Sequence, residues 1–74
     1  MSKIFHLISD NVRWYRAATV RLSTIELPLD LDGNGYESSI FYAHGDSEVV
    51  RRYATMADAI KGHRELETIF GVKE

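Results

Sequence analysis

Residues 53 to 70, YATMADAIKGHRELETIF, decide how the rest of this chain must be arranged. Met56, Ala59, Ile60, His63, Leu66, Ile69 and Phe70 recur at the i, i+3, i+4, i+7 spacing of one helical stripe. Thr55 stands where an N-cap is needed, and Asp58 three residues on is placed to reach back as its capping-box partner. Asp58, Lys61, Arg64, Glu65 and Glu67 fall off the stripe, and Gly71 supplies a C-terminal stop. One apolar stripe in water needs a surface to cover. The helix therefore predicts a sheet, and the residues before it read as one.

Working backwards, Glu48 to Tyr53 (EVVRRY) reads as a strand that leads into the helix, and His44-Gly45-Asp46 as a tight turn. Tyr36 to Ala43 (YESSIFYA) reads as a second strand. Asp30 to Gly35 (DLDGNG) is dense in the residues that favour turns. Thr19 to Leu27 (TVRLSTIEL) is β-branched and alternates, with Val20, Leu22 and Thr24 on one face. Ile25 and Leu27 have the other parity, which calls for a bulge or for cover on both faces. Pro28 ends that strand. In residues 3 to 16 (KIFHLISDNVRWYR), Ile4, Ile8, Val12 and Tyr15 keep a period near four, which reads as a short helix. Ser9-Asp10-Asn11 would end that helix early or cap a second one. The expected fold is α+β: a three-stranded antiparallel meander packed by a C-terminal amphipathic helix, with a short N-terminal helix in front. It forms a single domain over 1–74, in which residues 1–17 carry the weakest pattern.

The chain has 74 residues, enough for one core only. Hydrophobic residues make up 45% and charged residues 27%, a balance that folds rather than stays disordered. With no cysteine, a disulfide framework, a Cys-based zinc site and thiol redox chemistry are excluded, and a reducing cytoplasm fits. Nine basic against eleven acidic residues give a formal charge of −2, hence no overall pull towards nucleic acid or anionic lipid. MSKIFHLISD lacks the apolar region and cleavage site of a signal peptide, and no run approaches the ~20 apolar residues of a membrane span. Small domains without such staples often gain stability by self-association, so a homodimer is expected.

Four groups of residues carry candidate chemistry. Asp30, Asp32 and Asn34 match the opening of a calcium loop, D-x-D-x-N-G. The bidentate Glu at position twelve is replaced by Phe41, so any calcium site would be weak and a polar hairpin loop is the plainer reading. His63 lies on the helical stripe beside Gly62. No nucleophile arrangement accompanies it, so it reads as a structural polar residue bonded to a strand carbonyl or hydroxyl. His6, His44 and His63 match no metal-ligand spacing. Trp14, Tyr42, Arg51, Arg52 and Tyr53 form a basic and aromatic set suited to stacking single-stranded bases or to anchoring a protein contact. The negative net charge and the lack of a nucleic-acid motif favour the protein contact.

Taken together, Ser23-Thr24, Glu37-Ser38, Arg52-Tyr53, Thr55, Ala59 and Gly62-His63 form an ordered set. It resembles a family of small bacteriophage and prophage proteins, whose pattern runs S-T in a strand, a Gly/Asp loop, E-T, R-Y, and A-x-x-G-H in a terminal helix. The resemblance covers residues of about 20 to 66. Ser38 stands where that family usually has Thr, and Leu27-Pro28 and Asp30-Leu31 depart from it after the first strand. It implies a phage-type accessory protein acting in the host cytoplasm and carries over no functional residue. The function expected is that of a non-enzymatic protein-interaction module that self-associates. The alternatives are weak cation binding through the Asp30–Gly35 loop and single-strand nucleic-acid binding.

Overall fold

β-Branched and aromatic side chains are frequent up to residue 53, and there the chain pairs as strands. A computed structural model describes residues 6–27 and 35–71. It shows β1 (His6–Tyr15), β2 (Ala18–Glu26), β3 (Tyr36–Tyr42), β4 (Ser47–Tyr53) and then α1 (Met56–Ile69). The sheet order is β1-β2-β3-β4, each strand antiparallel to the next. This is an α+β fold in which the helix crosses one face of an open meander.

The first strand corrects the sequence reading: residues 6–15 form β1, not a helix, and the sheet has four strands rather than three. The apparent period is not a stripe of the strand: the step from Val12 to Tyr15 is odd, so Val12 pairs with Arg21 on one face and Tyr15 with Ala18 on the other. A bulge also hides the alternation, since Leu7 pairs with Ile25 while Ser9 pairs with Thr24 and Ile8 is left over. The turn into β2 is equally well disguised. Arg16 (φ 53°) and Ala17 (φ 59°) are both left-handed, as a two-residue hairpin of the primed type requires. Neither residue is the Asn or Gly that usually announces such a turn.

The second strand is regular against β3, so the parity change at Ile25 is not a bulge in β2: Ile25 lies on the face away from α1 and is half-buried there among its sheet neighbours. In β4, Ser38 faces Arg51 and Ser39 faces Val49, which makes Val50 the extra residue of a second bulge. Tyr42 turns into β4 through Gly45 (φ 106°), where a left-handed residue is needed.

The helix begins at Thr55, whose Oγ1 accepts from the Asp58 N–H at 3.1 Å. Its buried side is Ala59, Gly62, His63 and Leu66, continued by Phe70 just past its end. Met56, Ile60 and Ile69 are exposed, so the stripe is centred one residue away from its expected midline and Gly62 lies on it. The stop is not a left-handed Gly71. Phe70 turns extended and Gly71 pairs with the β1 edge, its carbonyl accepting from the Trp14 N–H at 2.8 Å. The core beneath α1 is Val20, Leu22, Ile40, Leu66 and Phe70, bordered by Tyr15, Tyr42 and Val50. Tyr15 meets Phe70 edge to face at 4.5 Å between ring centres.

Candidate functional site

Beside this apolar core the same sheet face carries hydroxyls. Thr24 on β2 and Ser38 on β3 face each other across the ladder, both fully buried. The four groups His63, Thr24, Ser38 and Tyr53 form one chain of hydrogen bonds. His63 Nδ1 lies 2.6 Å from Thr24 Oγ1, Thr24 bonds Ser38, and Ser38 Oγ lies 2.9 Å from the Tyr53 hydroxyl. On its other side His63 Nε2 meets Asn11 Oδ1 on β1, with Glu67 Oε2 at 3.5 Å.

The direction of every bond follows from the two oxygens at Nε2. Both are acceptors, so Nε2 carries the proton and Nδ1 must accept from Thr24. The Thr24 hydrogen is then committed, so Thr24 accepts from Ser38, and Ser38 in turn accepts from Tyr53. Burial disfavours the imidazolium and pulls the His63 pKa below its ordinary value; Glu67 acts against this, Arg13 adds to it and Asp10 opposes it. The ring is therefore neutral, as the chain requires. A hydroxyl bonded to an imidazole that faces a carboxylate has the wiring of a nucleophile and base. Here Thr24 has no exposed surface and His63 almost none. A groove that reaches His63 is lined by Ile8, Ser9, Ile60, Arg64 and Glu67, whose carboxylate lies at the Nε2 side of the ring, away from Thr24. The chain is a packing element: it fixes the register of three strands and the helix against one another.

Tyr53 and Gly62 complete it. A Cβ on Gly62 would stand 2.2 Å from Tyr53 Cε1 and 2.5 Å from its Cζ and hydroxyl, so the ring lies directly on the glycine. The ordered set read from the sequence thus contains most of this chain: Thr24, Ser38, Tyr53, Gly62 and His63.

The opposite face of the sheet has no element over it among the described residues. Register places Leu7, Asp10, Val12 and Trp14 of β1, Thr19, Arg21, Ser23 and Ile25 of β2, Glu37, Ser39 and Phe41 of β3, and Ser47, Val49 and Arg52 of β4 on this side. Leu7 (59%), Val12 (62%), Phe41 (45%) and Val49 (45%) are the large exposed apolar side chains of the sheet, and all four lie here. Two ion pairs lie among them: Arg21–Asp10 at 2.6 Å, with Arg21 in register between Val12 and Phe41, and Arg52–Glu37 at 3.6 Å.

The basic and aromatic set predicted from sequence is divided by the sheet. Trp14 and Arg52 lie on the open face. Tyr42 and Arg51 lie on the helix side, bonded to Glu48 (2.9 Å) and Glu65 (2.8 Å) respectively. Tyr53 is buried under Gly62 and is corrected from contact residue to core residue. Alternation sends neighbours such as Arg51 and Arg52 to opposite faces, so a cluster in sequence is not a cluster in space. Asp30, Asp32 and Asn34 lie outside the described residues; among those described, no group of acidic and histidine side chains could hold a metal ion. His44 sits exposed in the turn, 3.0 Å from Asp46 and stacked on Tyr42.

No family model, no curated protein and no solved structure matches this chain. Among the described residues, no helix is long and apolar enough to cross a membrane.

Proposed function

We propose that this chain is a small non-enzymatic protein-interaction module, of the phage accessory type that its ordered motifs resemble, and that it binds through the open face of its sheet. The observation that carries the reading is the collection of Leu7, Val12, Phe41 and Val49 on the side of the sheet that no described element covers, opposite the side packed by α1. Antiparallel sheets commonly keep a polar outer face. A face with four large exposed apolar side chains marks a contact surface. The one hydroxyl–imidazole pair, by contrast, is spent on internal packing.

The test is site-specific photo-crosslinking in cells that express the full chain. A photoreactive residue at Val49 or Val12 is expected to give covalent protein adducts, and the same residue at Ala57, on the outer side of α1, is not. Equal labelling at all three positions, or no adducts at any, would remove the reading.

A further inference from the structure

Resting on that reading, we infer that the occupant of the open face is a second copy of this chain, stacked sheet on sheet across a two-fold axis that runs perpendicular to the strands. Shape, charge and area each point to it.

The open face is corrugated in rows across the sheet. One row is high, with Val12, Arg21 and Phe41 in register on β1, β2 and β3. The next is low: Ser23 and Ser39, short side chains, stand side by side on β2 and β3, each only 8% exposed. Beyond it Ile25 and Glu37 form a second high row. On the far side of the first ridge the surface falls again, into a hollow of about 250 Å³ that Thr19 and Ala43 help to line. On β2 and β3 the rows run low, high, low, high along the strands, while at the edges Trp14 stands beside Thr19 and Val49 beside Ser39. A two-fold axis between the Arg21–Phe41 row and the Ser23–Ser39 row carries each ridge of the two central strands onto a trough of the other copy. On β1 it sets Trp14 against the partner's Leu7 as an apolar edge contact. Phe41 then meets the partner's Ser39, Arg21 meets the partner's Ser23 beside its Asp10, and Ile25 enters the partner's hollow. On β4 the same operation sets Val49 against the partner's Ser47.

Charge permits the same arrangement. The face holds two acids, Asp10 and Glu37, and two bases, Arg21 and Arg52, already paired within each copy. Two such faces meet without net repulsion, and Arg21 of one copy can bridge to Asp10 of either. The area is sufficient. Four strands ~4.8 Å apart and four rows ~6.7 Å apart give a flat footprint of about 500 Å². The relief of the side chains raises this towards the about 800 Å² of accessible surface per partner that an ordinary stable interface uses. Stacked sheets sit ~10 Å apart, which is the depth of one interdigitated side-chain layer.

The experiment is sedimentation equilibrium on the full chain from about 0.05 to about 500 μM, because interfaces of this size span micromolar to much tighter affinities. It is run on the wild type, on Phe41→Glu, which puts a charge on the ridge, and on Ser39→Trp, which fills the trough. The wild type is expected to be a dimer, and each variant to weaken it at least about tenfold while its circular dichroism and melting remain those of a folded chain. Lys61→Glu, on the outer side of α1, leaves the dimer unchanged. In a sample mixing labelled and unlabelled copies, nuclear Overhauser contacts between the Phe41 ring and the Ser39 Hβ of the other copy confirm the register. A wild type monomeric throughout overturns the inference, as does a dimer that Phe41→Glu and Ser39→Trp leave intact. In either case adducts at Val49 that contain another protein would still uphold the broader reading, so the two failures are told apart. If either variant proves unfolded, Val12→Arg at the exposed rim of the same ridge replaces it: a weakened dimer supports the inference and an intact one overturns it.

Discussion

Replacing Gly62 by alanine is expected to destabilise this protein although it improves the helix. In an exposed helix interior the change favours folding by ~1 kcal/mol. Here the added methyl would lie 2.2 Å from Tyr53 Cε1, so the ring must retreat by about 1.3–1.8 Å to reach van der Waals separation. It has nowhere to retreat cheaply. Tyr53 is 6% exposed and its hydroxyl is bonded to Ser38, which is fully buried. Overpacking of this kind costs about 1–3 kcal/mol. Pulling the hydroxyl from Ser38 leaves a buried group unsatisfied, for about 1–3 kcal/mol more. With the propensity gain returned, the net loss is about 1–5 kcal/mol, against a total stability of roughly 4–11 kcal/mol for a chain of this length. Urea denaturation followed by far-ultraviolet circular dichroism would show the midpoint fall by about 1 M or more. The companion measurement uses a Tyr53→Ala background, where the ring is gone and Gly62→Ala should become neutral or stabilising. A raised midpoint for Gly62→Ala in the wild-type background would refute the reasoning, because it would mean that the ring does not rest on the glycine.

Other expectations follow from single contacts. Thr24→Val keeps the shape but removes the hydroxyl between His63 and Ser38, and should cost about 1–3 kcal/mol in the same urea assay. Ala17→Gly releases a side chain from a left-handed turn position (φ 59°). After the entropy cost of glycine it should stabilise by about 0.5–1 kcal/mol, visible as a higher melting temperature. Thr55→Ala removes the oxygen that caps the Asp58 N–H and should lower stability by ~1 kcal/mol. Burial holds the His63 pKa below its value in the unfolded chain, about 6.5. Its contribution to stability is therefore complete above that pH and is lost as pH falls through the lower folded value. Nitrogen-15 spectra should show a neutral ring with the proton on Nε2 at pH 6.5; a midpoint at or above 6.5, or a proton on Nδ1, contradicts the direction assigned to the chain.

Some of this architecture was readable in the residues themselves. The Tyr53–Phe70 stretch announces a helix through its spacing and cap, and the alternating segments around Thr24 and Ser38 announce strands, because both signals depend on near neighbours in the chain. His63 could be placed among the packed residues for the same reason. What the first strand does could not be read so well. The apparent period near four puts Val12 and Tyr15 on opposite faces of the strand, a bulge at Ile8 masks the alternation, and Arg16-Ala17 carry no turn signature. Pairing with β2 settles the matter, and pairing is a contact between distant residues. The buried chain is similar in kind. Thr24, Ser38, Tyr53 and His63 were each visible, but only the sheet register and the docking angle of α1 bring their polar atoms within bonding distance. The open face is the clearest case: one strand's side chains point alternately to two sides, and sequence cannot say which side a helix will cover. Local periodicity determines which segments are amphipathic. Only their packing decides which of two half-apolar faces is buried and which is left for a partner.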